Sequence, residues 1–486
     1  MQTVSCPSCG APVTFRSHAA VMAVCEFCRA AVLKDVDSVS QIGTMSAVLE
    51  DFSPIQIGTA GVFAGHGFTV VGRIQLRYEH GMWNEWFLLF DDTTTSWLGD
   101  ASGQFTLTTP RAVAGSLYAF EEIEPGRTYN IGGELFTAAD KREAECIGGQ
   151  GELPFRVGDG YRIRTADLRH DAAFVTLDYS DGPVPVVYNG MAVTLPELKC
   201  QLLRDDEQIK TSAGKYRGKL APLDCPSCGS NITYLPGVTT TLVCPACAAQ
   251  LDAAGPQATI LAKGEAVGRV LTTLTLGAKG AINGSEHTII GAMVRADEEG
   301  ETWTEYLVFS TRDSFFWLVE TDEGWSRSQV LSSWPQWQSL SSSTAKLDNV
   351  SYDKLYDYTA TVQFAAGAFN WRVNVGDAVQ VFEFESGQNA LAAELTASEL
   401  TWSRSSPVAF DQVKAWFGNG LKGDAPVASA SPAGTLNSTQ MKFVWWILGL
   451  NSIPLLFNFS GSFWVVIVAL IALYYPASYF QGKDKE

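Results

Sequence analysis

Eight of the ten cysteines stand at spacings that suit metal chemistry. Cys6, Cys9, Cys25 and Cys28 read C-x2-C-x15-C-x2-C, and Cys225, Cys228, Cys244 and Cys247 repeat that spacing in the second half of the chain. Thiolates in paired knuckles favour a tetrahedral ion, and four of them leave no position open for water or substrate. The reading is therefore two structural zinc ions, with a rubredoxin-like iron site as the competitor that ligand type alone leaves in place. Closed sites of this kind fold short segments that have almost no core of their own.

The second candidate chemistry is acidic and aromatic. "GMWNEWFLLFDD" and "GETWTEYLVFST" place Trp83 and Glu85 opposite Trp303 and Glu305 in the internal alignment, after a single insertion in the second copy. On a strand, Trp83 and Glu85 share one face and Trp86 takes the other. The plain reading of the glutamate is a strand-edge acceptor beside a tryptophan; the functional one is a pocket around Glu85. The histidines His18, His66, His80, His170 and His287 do not recur between the copies, and none sits in a nucleophile or metalloprotease motif. The sequence names no catalytic residue and leaves enzyme status unsupported.

The elements that must position these residues are strands. "IQIGTAGVFAGHGFTVVGRIQLRY" returns as "LTLGAKGAINGSEHTIIGAMVR", with Gly58, Gly61, Gly65 and Gly72 answering to Gly277, Gly280, Gly284 and Gly291. Those glycines mark turns with positive φ or close strand crossings. The fold class is mainly β. It comprises a zinc ribbon at 1–34, a β-rich copy at 50–215, a second ribbon at 216–254 and a second β-rich copy at 262–420. Residues 35–49 read as a connector, and one short helix is expected over 407–417. Cys146 and Cys200 have no counterparts in the second copy and read as buried thiols.

With 486 residues the chain exceeds one ordinary domain, and its formal net charge is −18. An acidic surface repels phosphate backbones, so no nucleic-acid partner is expected. Paired knuckles without an export signal point to a reducing compartment. Residues 421–441 are rich in Gly, Ala, Ser and Pro and read as a flexible linker. Two apolar runs within 442–480 then read as a C-terminal transmembrane helical hairpin, with a single span as the alternative. Lys442 on one side and Lys483 and Lys485 on the other favour the hairpin by charge. That reading puts the protein at the inner (cytoplasmic) membrane, with the bulk of the chain in the cytoplasm.

The knuckles, "IGTAGVFAGHGFTVVGRIQLRY", "WNEWFLLFDD", "WL" and "GELPF" together resemble the bacterial domain-of-unknown-function family 4178. The resemblance covers residues 1 to about 420. "WTEY" and "GAFNW" in the second copy depart from the family pattern. The family has no established activity, so the resemblance carries over no catalytic residue; it implies an envelope or stress-related assembly. The expected function is a membrane-anchored scaffold with protein partners and structural zinc. The alternative is a small-molecule-binding protein or enzyme using a pocket near Glu85.

Overall fold

The computed structural model describes residues 2–17, 19–28, 30–34, 39–44, 53–79, 81–113, 117–155, 161–205, 209, 221–234, 241–247, 249–252, 259–262, 272–310, 313–337 and 339–421. Met1–Lys422 group as one compact unit. The chain opens with β1 (Gln2–Ser5), β2 (Pro12–Phe15), β3 (Met22–Val24), β4 (Ala30–Lys34) and β5 (Val39–Thr44). The stretch expected as a connector thus contributes β5, which pairs with β4. There follow β6 (Ala60–Phe63), β7 (His66–Tyr78), β8 (Gly81–Phe90), β9 (Thr95–Ala101), β10 (Gln104–Pro110), β11 (Thr128–Ile131), β12 (Glu134–Leu153), β13 (Arg162–His170), β14 (Ala173–Asp178) and β15 (Val186–Val193).

The second copy repeats this series. Its strands are β16 (Ala221–Asp224), β17 (Asn231–Tyr234), β18 (Thr241–Val243), β19 (Gln250–Asp252), β20 (Thr259–Ala262), β21 (Lys279–Ile282), β22 (Ser285–Ala296), β23 (Thr302–Ser310), β24 (Ser314–Glu320) and β25 (Trp325–Val330). It ends with β26 (Thr344–Leu347), β27 (Val350–Phe369), β28 (Ala378–Ser386), β29 (Asn389–Leu395), β30 (Leu400–Val408) and the helix α1 (Phe410–Phe417). The order β16 to β30 answers in sequence to β1 to β15, which establishes the duplication in three dimensions.

Each copy closes on itself. The antiparallel ring runs β7-β8-β9-β10-β15-β14-β13-β12, and β12 then pairs with β7. The ring β22-β23-β24-β25-β30-β29-β28-β27 closes in the same way through β27 and β22. An eight-stranded closed sheet has no free edges, and its interior is just wide enough to be filled by side chains or to hold one small ligand.

Closure rests on glycine. Gly72 and Gly151 are directly opposed where β7 meets β12. A Cβ on Gly72 would meet the carbonyl oxygen of Glu152, and one on Gly151, whose φ is +67°, would meet that of Val71. Gly291 and Gly367 occupy the same crossing in the second barrel.

The long strands β12 and β27 also weld the cysteine modules to the barrels. Past the crossing, β12 pairs with β3 at Gly151–Leu153, and β27 pairs with β18 at Gly367–Phe369. Module and barrel therefore share one continuous sheet in each copy. Glu152 reinforces the first junction: its buried carboxylate accepts the backbone N–H groups of Arg16 and Ser17, both at 2.7 Å. The second junction has Ala368 at the corresponding place. Replacing Glu152 by Ala leaves two donors without that acceptor and is expected to cost about 2 kcal/mol locally. Faster amide exchange at Arg16 and Ser17, with the second copy unchanged, is the expected readout; unchanged exchange there would refute the anchoring role.

The outer wall of each barrel is covered by chain from its own copy. Trp86, Leu88, Leu98 and Leu107 are buried with Ile55 and Leu198. In the second copy Tyr306, Val308 and Phe316 are buried with Leu274 and with Val413 and Phe417 of α1. Val413 and Phe417 are an i, i+4 pair on one helix face. The helix expected over 407–417 is thus present, at Phe410–Phe417.

No helix among the described residues is long and apolar enough to cross a membrane. This corrects the expected transmembrane helical hairpin and, with it, the inner-membrane placement. The apolar pattern over 442–480 carried both expectations, and those residues lie outside the described ones, as does the linker beyond Leu421.

Candidate functional site

The metal candidates are held by turns between strands. Cys6 and Cys9 lie between β1 and β2, and Cys25 and Cys28 between β3 and β4. Backbone bonds Gly10 N–H to Cys6 O and Cys6 N–H to Ala11 O, both 2.8 Å, tighten the first knuckle. Gly10 there adopts φ +78°, and Gly229 adopts +75° in the second copy. Within each tetrad the four Sγ atoms lie within 4.8 Å of one another. Cys6 and Cys28 are 3.6 Å apart, Cys9 and Cys25 3.7 Å, and the pairs Cys225–Cys247 and Cys228–Cys244 each 3.8 Å. A tetrahedral ion about 2.3 Å from each sulfur needs neighbouring sulfurs about 3.8 Å apart. All eight cysteines are free thiols, so the geometry is that of a metal centre and not of disulfides. Both tetrads fit a metal ion.

The second candidate lies inside the barrels. Trp83 and Glu85 project to the face they share with Leu76 and Ile74 on β7, while Trp86 faces the outer wall. The Trp83 indole N–H donates to Glu85 Oε1 at 2.9 Å, and Trp303 donates to Glu305 Oε1 at 2.7 Å. Both glutamates are therefore acceptors beside a tryptophan, as the plain reading expects, but they sit inside a closed barrel and not at a strand edge.

Register identifies further carboxylates on the same inner face. Asp167 on β13 stands opposite Thr176 on β14 and accepts its hydroxyl at 2.6 Å. Asp178, next along the same face of β14 from Thr176, accepts the backbone N–H of Ser180 at 2.9 Å and the hydroxyl of the same residue. In the second barrel Glu383 and Glu394 occupy these places; they stand opposite Ala392 and Val381. At equivalent places each interior thus holds three acids, Glu85, Asp167 and Asp178 or Glu305, Glu383 and Glu394, and the first holds a fourth, Asp140, opposite Asp167. The sequence reading missed the last two of each set of three. Their signal was the continued alignment, in which Asp167 answers to Glu383 and Asp178 to Glu394 at one common displacement.

Burial pushes the Glu85 carboxyl up to about 8, only partly opposed by the indole bond, and Asp167, Asp178 and Asp100 push it the same way. Burial likewise raises Asp167 and Asp178. Glu85, Asp167 and Asp178 nevertheless keep some accessible surface.

Arg142 and Arg169 also face the first lumen, but both are committed at its junction with the second copy. Arg142 lies 3.0 Å from Asp140 and 3.4 Å from Glu399, and the Arg169 guanidinium donates to Ser332 O at 2.9 Å. The backbone N–H of Lys141 donates to Ser398 O at 3.0 Å. The turn between β29 and β30 therefore stands against this end of the first barrel.

Cys146 is a buried thiol bonded to Gly148 O, and Cys200 is partly buried; neither joins a site. His18 and His80 lie outside the described residues.

Fold and sites define a tandem β-barrel protein with a tetracysteine centre at the root of each barrel. The family described as Domain of unknown function (DUF4178) matches residues 56–194 and 275–410, and the chain belongs to it. The two matches coincide with the two barrels. No curated protein and no solved structure matches the chain.

Proposed function

We propose that this protein is a non-enzymatic binding protein whose first barrel holds a small molecule in its lumen, with a structural zinc ion in each cysteine module. The observation that carries this reading is Glu85, an inward carboxylate whose hydrogen-bond partner is a single indole and which retains accessible surface. Eight-stranded barrels of this width hold one small ligand when their interiors are left unfilled. Among the described residues no nucleophile with a general base accompanies the acids, and binding describes the site better than catalysis. The expected role as a scaffold with protein partners draws on the closed metal sites and the duplication. The inner acids give that role nothing to do, so small-molecule binding is preferred.

The test is a thermal-shift screen of the zinc-loaded full chain against small cations, anions and neutral compounds. At least one class should raise the melting temperature in the wild type and fail to do so in Gly99→Val. A Cβ on Gly99 would lie 2.8 Å from Thr106 Oγ1, which would have to shift, and 3.6 Å from Glu85 Oε1, so this change crowds the carboxylate. Failure of every class to stabilise the wild type would refute the reading.

A further inference from the structure

The two barrels carry the same three inward acids but differ in what answers them. In the second barrel the chain supplies its own cation. The Arg295 guanidinium, partly buried on β22, lies 3.5 Å from Glu305 and 3.1 Å from Glu394. Register places Leu76 at the equivalent position of the first barrel: Leu76 stands opposite Trp83 as Arg295 stands opposite Trp303. The first set therefore has a hydrocarbon where the second has a positive charge. Among the described residues no cation forms an ion pair with Glu85, Asp167 or Asp178; their partners are an indole, a threonine hydroxyl and a serine. Arg142 and Arg169 act on Asp167 only from further off, through their charge.

Volume differs in the same sense. Gly99 stands opposite Glu85 on β9, and its counterpart opposite Glu305 is Val319. At this level the second barrel thus carries an arginine and a valine where the first carries a leucine and a glycine, with the Thr106 hydroxyl 2.8 Å from where a Cβ on that glycine would lie. Isolated buried carboxylates are costly to keep ionised, and a cation lodged among them removes that cost.

We propose that the first barrel binds a small organic cation of guanidinium or ammonium type, with Glu85, Asp167 and Asp178 as its counter-charges, and that Arg295 is a built-in occupant of the corresponding place in the second barrel. The proposal rests on the small-molecule reading above and names its ligand class. An organic cation fits better than a metal ion. Among the described residues only the two cysteine tetrads bring ligand atoms close enough to hold a metal, and the three acids do not form such a group. A planar or tetrahedral nitrogen cation is larger and can span separated carboxylates with several donors. The Trp83 ring beside Glu85 already meets a cation, the Arg142 guanidinium 5.7 Å from its centroid, so the ligand's contacts are the carboxylates.

The experiment is calorimetry on the zinc-loaded full chain with n-butylguanidinium, n-butylammonium, n-butylurea and Mg2+ as probes. One equivalent of at least one of the two organic cations should bind per chain, at least tenfold more tightly than the uncharged urea. Leu76→Arg imports the second barrel's own occupant and should abolish binding; Gly99→Val should do so by volume alone. Retained metal content and cooperative melting confirm that each variant is folded. Arg295→Leu, if folded by the same criteria, should raise the stoichiometry towards two.

Equal binding of n-butylurea would overturn the cation class while leaving small-molecule binding standing, as would stabilisation by anions alone. Binding of Mg2+ in place of both organic cations would overturn it in favour of a metal site. Undiminished cation binding in folded Leu76→Arg and Gly99→Val would place the ligand outside this lumen and overturn the proposal. No binding by any probe, together with a negative thermal-shift screen, would remove the underlying reading as well.

Discussion

Removing the metal is expected to dismantle both cysteine modules and to loosen each barrel at its closing strand. Structural zinc in tetrathiolate sites contributes on the order of 10 kcal/mol of apparent binding free energy at neutral pH, and short modules of this size depend on it to fold. The consequence reaches further here than in a free-standing ribbon. Strands β3 and β18 are hydrogen-bonded to the ends of β12 and β27, immediately past the glycine crossings that close the barrels. Loss of the first module would also leave the buried Glu152 carboxylate without its two backbone donors.

Elemental analysis should find two ions per chain in the wild type and one in Cys25→Ser, because the sites are independent tetrads. A strong chelator should expose residues 2–34 and 221–252 to protease before the barrels are cut. Iron in place of zinc would be evident from colour and would leave the structural argument intact. If the chelated chain lost its metal and both modules kept full protease resistance, the structural role assigned to the tetrads would be wrong.

The stability of the first barrel should fall as pH rises from about 5 to 9, and Glu85→Gln should remove the Glu85 share of that fall, leaving the share of Asp140, Asp167 and Asp178, whose carboxyls burial also raises. The sign follows from which state holds the proton more tightly. Burial holds the folded Glu85 carboxyl at about 8, above its ordinary value of 4.5. The folded state therefore keeps a proton that the unfolded chain releases. Its contribution is fully present below pH 4.5 and is lost as pH rises through about 8. Each tenfold difference in proton affinity corresponds to about 1.4 kcal/mol, and partial access of the lumen to solvent reduces the total, so an effect of roughly 3 kcal/mol is expected.

Chemical denaturation of the full chain at several pH values, wild type against Glu85→Gln, measures this difference. The variant keeps an acceptor for the Trp83 indole and removes the titration. Glu305→Gln is not its equivalent, because Arg295 already faces that carboxylate and would be left with Glu394 alone. A wild-type profile parallel to that of Glu85→Gln would show that the carboxyl is not held protonated.

The sequence by itself determined the features that depend on local residue type and constant spacing. Four sulfurs in paired knuckles require particular turns, so C-x2-C repeated in both halves of the chain was enough to locate both candidate metal sites and the duplication. Alternation along β8 and β23 placed Trp83 with Glu85 and Trp303 with Glu305, because side-chain direction in a strand follows a period of two. Glycines at Gly72 and Gly291 were readable as close crossings, since few other reasons place glycine inside an apolar strand.

What encloses those side chains was a matter of tertiary structure. Whether Glu85 lies at an edge or in a lumen depends on β12 returning to pair with β7, a contact between segments far apart in the chain that no local pattern encodes. The same closure gathers Asp167 and Asp178 with Glu85 from separate strands. It also sets Leu76 of one barrel against Arg295 of the other, a difference that looks like ordinary divergence until the acids beside it are seen. The apolar run at 442–480 shows the opposite limit. Hydropathy alone supported a transmembrane hairpin there, and no described helix provides one. Residue type set the chemistry available; chain closure decided which charges must face one another, giving Glu305 an arginine partner and, among the described residues, none to Glu85.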